Sequence, residues 1–189
     1  MYEIELKAHV QDCNAVRKRL AQFAQYVERI HKDDHYYRKI ATDGMKLPSI
    51  RIRTERATCA DGTESTRHLL TYKRKEQRNG TEVNEELESL LENPAVLHAF
   101  LQDSGHTMYL HKQKESEFYT VHTDSGTAHL ELCTVPPLGW FIEIEIICAD
   151  NAATTVARAQ AELHVLLAQC GIAESAVEPR YYSELLQGT

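Results

Sequence analysis

The sequence predicts an α+β protein in which eight or so antiparallel strands form either a sandwich or a closed barrel, with a few helices packed on the outside. Two observations indicate this fold. Many short segments alternate apolar and polar residues, which is typical of strands with one buried face. Turn residues separate these segments, and one of the turns, Asn79-Gly80, is a dipeptide that favours a tight hairpin.

Helical periodicity is confined to a few segments. After a first strand over residues 2–9, residues 11–30 space their apolar side chains as an amphipathic helix does, with Asp12 as its N-cap. Asn93-Pro94 predicts the start of a helix over 91–104, because asparagine caps helices and proline suits the first turn. Further helices are predicted over 151–169 and 180–187. The other predicted strands cover residues 35–39, 49–54, 68–75, 82–88, 107–121, 127–135 and 140–148.

The composition is that of a soluble globular chain. Of its 189 residues, 42% are apolar and 26% are charged, and we expect residues 1–189 to form a single domain. The sequence shows no signal peptide and no stretch long enough to span a bilayer, so we expect a cytoplasmic protein without a membrane partner. A formal net charge of -7 argues against nucleic acid as a partner. The five scattered cysteines predict neither disulfides nor a thiolate zinc site.

The charges on the alternating strands are sorted by sign. Glu3, Glu5 and Lys7 share one face of the first strand, because successive side chains point to opposite sides. Other strands carry a pair of like charges on one face. The acidic pairs are Glu86/Glu88 and Glu143/Glu145, and the basic pairs are Arg51/Arg53 and Lys112/Lys114. One such strand is typical of a solvated sheet face, but a surface that serves only solubility mixes the two signs. The segregation favours a closed barrel with a charged lumen.

A charged lumen of this kind needs ligands of both signs, because unpaired buried charge is costly. Arginine binds phosphate oxygens through its two-pronged guanidinium, and lysine binds them as a point charge. Carboxylates are hard ligands that favour Mg²⁺ or Mn²⁺ over Zn²⁺. The pattern therefore predicts a site for a polyphosphate together with a divalent metal ion.

The ordered series of charged positions resembles the CYTH family, also called triphosphate tunnel metalloenzymes. The segments DHYY, PPLGWFIEIE and RYYSELL are most similar to the class IV adenylyl cyclase branch. The resemblance implies a closed eight-stranded antiparallel β-barrel, a tunnel with helices on the outside, that binds a triphosphate with Mg²⁺ or Mn²⁺. The series runs through Glu3-x-Glu5-x-Lys7, Arg51-x-Arg53, Lys73, Glu86-x-Glu88, Lys112-x-Lys114 and Glu143-x-Glu145.

The resemblance also implies roles for individual residues. Glu5, Lys7 and Lys114 are the expected catalytic residues. Lys114 and Glu131 depart from this branch, which usually has arginine and aspartate at these positions. The residues expected to contact the triphosphate are Lys7, Arg51, Arg53, Lys73, Lys112, Lys114 and Arg180. The residues expected to bind metal are Glu3, Glu5, Glu131, Glu143 and Glu145, and those expected to support the charge balance are Glu86 and Glu88.

The resemblance favours conversion of ATP to cyclic AMP and pyrophosphate. Two alternatives remain open, namely a hydrolase of inorganic or thiamine triphosphate and a non-catalytic module that binds polyphosphate or nucleotide. The binding module is disfavoured, because a pure anion binder gains nothing from an acidic set of side chains. A homodimer is a further open alternative.

The ten histidines include two closely spaced pairs, His31/His35 and His106/His111. Neither pair lies within a clear helix, where ligands four residues apart would share one face. We therefore interpret these histidines as polar surface or core residues rather than metal ligands.

Overall fold

The computed structural model describes residues 2–40 and 49–188, apart from the side chain of Lys75. Four helices are present in this part of the chain, and none of them has the length and apolar character to cross a membrane. The strands are β1 (Tyr2–Val10), β2 (Gln25–Arg38), β3 (Ile50–Cys59), β4 (Glu64–Arg78), β5 (Thr81–Leu90), β6 (Thr107–Thr123), β7 (Gly126–Val135) and β8 (Gly139–Cys148). The helices are α1 (Cys13–Phe23), α2 (Pro94–Asp103), α3 (Ala153–Gln169) and α4 (Tyr182–Gln187).

The eight strands form one closed antiparallel barrel. Their order around it is β1-β5-β4-β3-β2-β6-β7-β8, so β1 lies between β5 and β8 and the remaining neighbours are mostly consecutive hairpins. The turn between β4 and β5 contains Asn79 and Gly80 with φ angles of 53° and 78°, the left-handed conformation that a tight hairpin turn requires. The predicted α+β fold with a closed eight-stranded barrel and external helices is confirmed.

The predicted helix over 11–30 is wrong in its second half. Asp12 caps α1 as predicted, and its side chain accepts two backbone hydrogen bonds of 3.0 Å. However, α1 ends at Phe23 and β2 begins at Gln25. The segment after the helix pairs with β6 along almost the whole of β2. The many cross-strand hydrogen bonds outweigh a weak helical periodicity, and β-branched residues such as Val27 are well suited to a strand.

The apolar faces of the strands point outward and are covered by helices. Leu20 of α1 and Leu163 of α3 share one fully buried cluster with Ile4 of β1 and Ile144 of β8. Burial of one such side chain contributes about 1.5–3 kcal/mol, so this cluster holds the helices on the barrel. The usual small barrel fills its interior with apolar side chains. Here the hydrophobic core lies between barrel and helices, which leaves the lumen to polar residues.

Two further apolar clusters complete the cover. Leu101 of α2 packs with Tyr37 and Ile52 on the outer face of β2 and β3. At one end of the barrel, Leu185 of α4 is in a cluster with Phe141 of β8, whose side chain lies on the lumen face. Helix α4 therefore covers one end of the lumen.

Candidate active site in the barrel lumen

The lumen holds a cavity of about 390 Å³ that is lined by charged side chains from all eight strands. Alternation along each strand produces this arrangement, because every second side chain points inward when the others are packed under helices. All but one of the charged residues singled out from the sequence line this cavity. They are Glu3, Glu5, Lys7, Arg51, Arg53, Lys73, Glu86, Glu88, Lys112, Lys114, Glu131, Glu143 and Glu145.

Arg180 is the exception. Its side chain is 63% exposed, and its guanidinium donates hydrogen bonds of 2.8 and 2.7 Å to the two carboxylate oxygens of Glu178. It is absent from the residues that line the cavity. The structure therefore does not bring Arg180 together with the other predicted phosphate ligands.

Three of the predicted metal ligands form an acidic cluster. Glu3, Glu5 and Glu145 each offer one carboxylate oxygen, and these oxygens lie within 4.8 Å of one another. Glu5 and Glu145 are direct partners across β1 and β8, so their side chains enter the lumen side by side. Oxygen ligands at this spacing suit a hard cation such as Mg²⁺ or Mn²⁺.

The pKa values in this cluster indicate a shortage of positive charge. Burial raises the pKa of Glu3 to about 7, and although Lys73 opposes the shift, Glu145 adds to it. Burial also raises the pKa of Glu5 well above its usual range, with a contribution from the neighbouring carboxylate of Glu82. A divalent cation would relieve this repulsion, so the three carboxylates fit such an ion chemically.

Glu131 and Glu143, the other two predicted metal ligands, are paired with lysines. The Nζ atom of Lys114 lies 3.0 Å from Glu131 and 2.7 Å from Glu143, and Lys32 lies 2.8 Å from Glu131. Burial alone would raise the pKa of Glu143, but the charges of Lys114 and Lys112, together with the hydrogen bond from Lys114, lower the pKa to about 2. Both carboxylates are therefore ionised and neutralise the two lysines.

Basic side chains gather on the strands opposite the acidic cluster. Arg53 donates two hydrogen bonds, of 2.6 and 2.9 Å, to the carboxylate of Asp34, and the Nζ atom of Lys112 lies 3.2 Å from the same carboxylate. Arg51 donates to Thr71 and Glu86 through one terminal nitrogen. Its Nε atom is buried and has no hydrogen-bond partner within the described part of the chain. A buried donor without a partner costs free energy, and an anionic oxygen would satisfy it.

Lys73 lies between the acidic cluster and the basic cluster, which consists of Arg51, Arg53 and Lys112. Its Nζ atom is 2.7 Å from Glu3 and 2.9 Å from Glu86. Burial opposes ionisation of Glu86, but Lys73 and Arg51 together lower its pKa to about 2. Glu88, two residues after Glu86 on β5, accepts a hydrogen bond of 2.9 Å from its cross-strand partner Thr71. Glu86 thus holds a lysine and an arginine in fixed positions.

The end of the lumen next to α4 is covered by an aromatic ring. The Nζ atoms of Lys7 and Lys112 lie 5.0 and 4.8 Å from the ring centroid of Tyr182, and that of Lys114 lies 6.0 Å away. Such cation–π contacts hold ammonium groups over the ring face. Tyr182 therefore fixes three of the predicted phosphate ligands at the covered end.

Another part of the cavity wall is apolar. Ile30 of β2, Phe118 of β6 and Ile147 of β8 line the same cavity, and the ring of Phe118 lies 5.3 Å from that of His129. Phe118 lies further along β6 than the lysines that meet Tyr182. A flat ring beside aliphatic side chains is a surface on which an aromatic ligand group can stack.

Sequence reasoning missed several lumen residues on β2. Lys32 and Asp34 face inward and contact Glu131 and Arg53, and Tyr36 lines the same cavity. Residues 28–36 read ERIHKDDHY and carry polar side chains on both faces of the strand, so no alternation of apolar and charged residues marks the inward face. The helix predicted over 11–30 also covered the start of the strand.

A closed antiparallel barrel with an acidic cluster and a basic cluster facing one lumen defines a charged-tunnel protein. The chain belongs to the CYTH domain family, whose model matches residues 1–182. The resemblance inferred from the charged series is thus confirmed over almost the whole sequence.

Solved structures share this fold at low sequence identity. The PH1819 protein of Pyrococcus horikoshii OT3 matches with a TM-score of 0.78 and 22% identity, over 98% of each chain. A Vibrio parahaemolyticus protein described as a "putative adenylate cyclase" matches with a TM-score of 0.75 and 20% identity, over 99% of this chain and 98% of its own. A "conserved hypothetical protein" of Pyrococcus furiosus gives a TM-score of 0.72 and 20% identity, over 97% and 99%. No curated protein matches the sequence.

Proposed function

We propose that the protein is a metal-dependent enzyme that converts ATP to cyclic AMP and pyrophosphate in the barrel lumen. The observation that carries the proposal is the opposition of two clusters across one cavity. The positive charge of Lys73 matches the carboxylates of Glu3, Glu5 and Glu145 only in part, so they favour a further cation, whereas among the described residues the buried Nε atom of Arg51 lacks an acceptor. A triphosphate with a divalent cation supplies both. Membership of the CYTH family and the description of the Vibrio parahaemolyticus neighbour support this function.

The basic residues bind the triphosphate. Arg51 donates its free Nε–H to a phosphate oxygen, and Lys7, Lys112 and Lys114 approach from the end covered by Tyr182. Most of these basic side chains already contact carboxylates, so they are held in place before the substrate enters. They are Lys7, Arg53, Lys73, Lys112 and Lys114. Donors fixed in advance stabilise developing charge without reorganisation, which is the main demand of phosphoryl chemistry.

Glu3, Glu5 and Glu145 are the residues that would hold Mg²⁺ or Mn²⁺. When bound, such a cation lowers the pKa of a nucleophilic oxygen and neutralises charge on the phosphates. We assign Glu131 and Glu143 to a different task, because their ion pairs with Lys32 and Lys114 keep these lysines charged and oriented. Glu86 does the same for Lys73 and Arg51.

In the proposed reaction, the 3′-hydroxyl oxygen of ATP attacks the α-phosphorus. A bond forms between these two atoms, the bond from the α-phosphorus to the oxygen that bridges to the β-phosphate breaks, and the hydroxyl proton is released to water. Negative charge accumulates on the departing pyrophosphate. We assign the stabilisation of this charge to Lys7, Lys112 and Lys114, whose ammonium groups gather at the end covered by Tyr182, and we assign Glu5 to holding the metal ion.

The apolar part of the wall favours a nucleotide over inorganic triphosphate. Inorganic triphosphate has no apolar surface to bury, whereas adenine can stack on Phe118, which lines the cavity together with Ile30 and Ile147. Base stacking on an aromatic side chain contributes about 1–3 kcal/mol. This surface is the specific observation that supports ATP as substrate.

The test is a substrate panel with purified protein in Mg²⁺ or Mn²⁺, at neutral and alkaline pH. ATP, inorganic triphosphate and thiamine triphosphate are offered, and cyclic AMP, pyrophosphate and orthophosphate are resolved. Cyclic AMP with equimolar pyrophosphate is the expected result. Orthophosphate without cyclic AMP would identify a triphosphatase, and tight binding without turnover would identify a binding module. Either of these results would overturn the cyclase proposal.

A further inference from the structure

We propose that the outer surface of the barrel carries a separate binding site for a first-row transition metal ion, formed by Asp33, His35 and His111. None of the three lines the lumen cavity. The site therefore does not share ligands with the carboxylates of the proposed active site, and the inference is independent of the reaction catalysed there.

Strand register brings the three residues together. His35 of β2 and His111 of β6 are direct partners across the two strands, so their side chains stand on the same face. Asp33 precedes His35 by two residues and stands on that face as well. The intervening residue Asp34 points into the lumen, where it meets Arg53. The alternation that fills the lumen with charge thus places two imidazoles and a carboxylate on the outside.

The ligand atoms are close enough to converge on one ion. One atom from each side chain lies within 4.8 Å of the other two. His111 Nε2 is 2.6 Å from Asp33 Oδ1, and His35 Nδ1 is 3.8 Å from the same oxygen. The two imidazole rings are stacked, with centroids 4.6 Å apart. Ligands at about 2.0–2.1 Å from a tetrahedral zinc ion lie roughly 3.3 Å apart, so metal binding requires the two stacked rings to rotate until their nitrogen lone pairs converge on the ion.

The donor set differs in chemistry from the acidic cluster in the lumen. Imidazole nitrogen suits Zn²⁺, Co²⁺, Ni²⁺ and Cu²⁺, whereas sites made only of carboxylates suit Mg²⁺ and Mn²⁺. The side chains of Asp33, His35 and His111 are 22%, 32% and 45% exposed. Water can therefore occupy the remaining coordination positions, and the metal ion can enter from solvent.

A neighbouring histidine supports the geometry. His98 of α2 packs edge-on against His35 with ring centroids 5.2 Å apart, and its Nδ1 atom is 2.7 Å from the hydroxyl oxygen of Tyr37. This contact restricts the orientation of the His35 ring from the side of α2.

The alternative is a simple ion pair between His111 and Asp33. An ion pair needs only those two residues, whereas a metal site also needs His35. The test must therefore measure metal binding and must include a variant of His35.

The experiment titrates untagged protein with Zn²⁺ by calorimetry and with Co²⁺ by visible absorption, in excess Mg²⁺ to fill the lumen carboxylates. We expect one Zn²⁺ per chain and the absorption bands of Co²⁺ bound to nitrogen. His35→Asn and His111→Asn should each weaken binding roughly tenfold or more, since even the loss of an outer contact can cost that much. His122→Asn is the matched control, because His122 is an exposed histidine on the same strand as His111.

Circular dichroism and melting temperature verify that each variant is folded. Unchanged Zn²⁺ affinity in both His35→Asn and His111→Asn would overturn the site, as would the absence of Zn²⁺ binding to the wild-type protein. Glu5→Gln should keep the Zn²⁺ site even when it loses turnover. Failure of the proposed enzymatic function and failure of this surface site are therefore separate results.

Discussion

Arg53 and Asp34 face each other across β3 and β2 inside the lumen, joined by hydrogen bonds of 2.6 and 2.9 Å between the guanidinium and the two carboxylate oxygens. Asp34 is completely buried. Burial alone would raise its pKa, but Arg53 and Lys112 hold the pKa well below its usual range. The basic cluster thus carries its own counter-charge before any anion enters.

The first prediction concerns this counter-charge. Asp34→Asn removes the carboxylate that Arg53 and Lys112 share and leaves Arg53 with only its longer contact to Glu55, at 3.4 Å. The change should destabilise the unliganded protein by about 3 kcal/mol, the scale of a broken buried ion pair. Inorganic tripolyphosphate should then stabilise the variant more than it stabilises the wild type, because the anion supplies the missing charge. Chemical denaturation with and without tripolyphosphate measures both effects. Asp103→Asn, at an exposed position at the end of α2, is the control. An equal ligand effect in variant and wild type would contradict the argument.

The second prediction concerns metal binding. Glu5→Gln replaces a buried carboxyl group, whose pKa is raised well above its usual range, with a neutral amide. A carboxyl group with a raised pKa in the folded state destabilises the fold once the pH is high enough to ionise it, so at alkaline pH the metal-free variant should melt at a higher temperature than the wild type. The same change should abolish the stabilisation by Mn²⁺ and lower metal-dependent turnover by roughly 100-fold, as expected when a ligand is lost. Melting curves with and without Mn²⁺, together with the turnover assay, provide the measurement.

Glu88→Gln is the matched control for Glu5→Gln. Its side chain is 40% exposed and lies outside the cluster formed by Glu3, Glu5 and Glu145. It should retain the full response to Mn²⁺. A Glu5→Gln protein that still gains stability from Mn²⁺ would refute the assignment of the acidic cluster as the metal site.

The third prediction concerns the nucleobase. Phe118→Ala removes the proposed stacking surface and should raise the KM for ATP about tenfold, in keeping with roughly 1–3 kcal/mol per stacked base. Affinity for inorganic tripolyphosphate should stay the same, because that anion does not reach the apolar wall. Steady-state kinetics and a tripolyphosphate titration test the two parts. Equal losses for both ligands would show that Phe118 supports the barrel rather than the base.

Much of this site could be predicted from alternation alone. Segments such as EIELK, SIRIR and FIEIEII identify both the strand and the face that carries charge, because a strand has a period of two. Alternation does not show which charges pair across the lumen. Glu143 meets Lys114 while Glu145 joins Glu3 and Glu5, and that difference depends on the register and curvature of the barrel.

The pairing of distant strands also explains why the sequence did not reveal the cluster of His35 and His111. The spacing along the chain suggested the pairs His31/His35 and His106/His111. The structure instead pairs His35 with His111, which belong to different strands far apart in sequence. The strand that carries His35 was moreover predicted as helix in its first part. Local periodicity cannot detect a cluster that only strand pairing creates.

The fourth prediction concerns pH and the attachment of α1. Arg17 of this helix donates two hydrogen bonds, of 2.8 and 2.7 Å, to Glu117 of β6. These bonds lower the pKa of Glu117. A carboxylate whose pKa is lower in the folded state stabilises the fold above its unfolded pKa, and this contribution is lost as the pH falls through the folded pKa.

Arg17→Gln should therefore cost about 0.5–1 kcal/mol at pH near 7, a value reduced by the partial exposure of both side chains. The cost should shrink as the pH falls below about 4, where the unfolded chain binds a proton that the folded carboxylate resists. Urea denaturation of wild type and variant across this range provides the measurement. A cost that does not change with pH would show that Arg17 acts by packing alone.

The cover that α4 and Tyr182 form at one end of the lumen has a consequence for the proposed conversion of ATP to cyclic AMP and pyrophosphate. In that reaction, substrate and products would share the opposite opening, and the triphosphate would enter ahead of the nucleoside to reach Lys7 and Lys112 beneath Tyr182. Pyrophosphate is then the inner product and cyclic AMP the outer one. The nucleotide has to depart first, and the empty tunnel is restored only when pyrophosphate follows it. Pyrophosphate should accordingly compete with ATP for the free enzyme. Cyclic AMP should instead inhibit by rebinding to enzyme that still holds pyrophosphate.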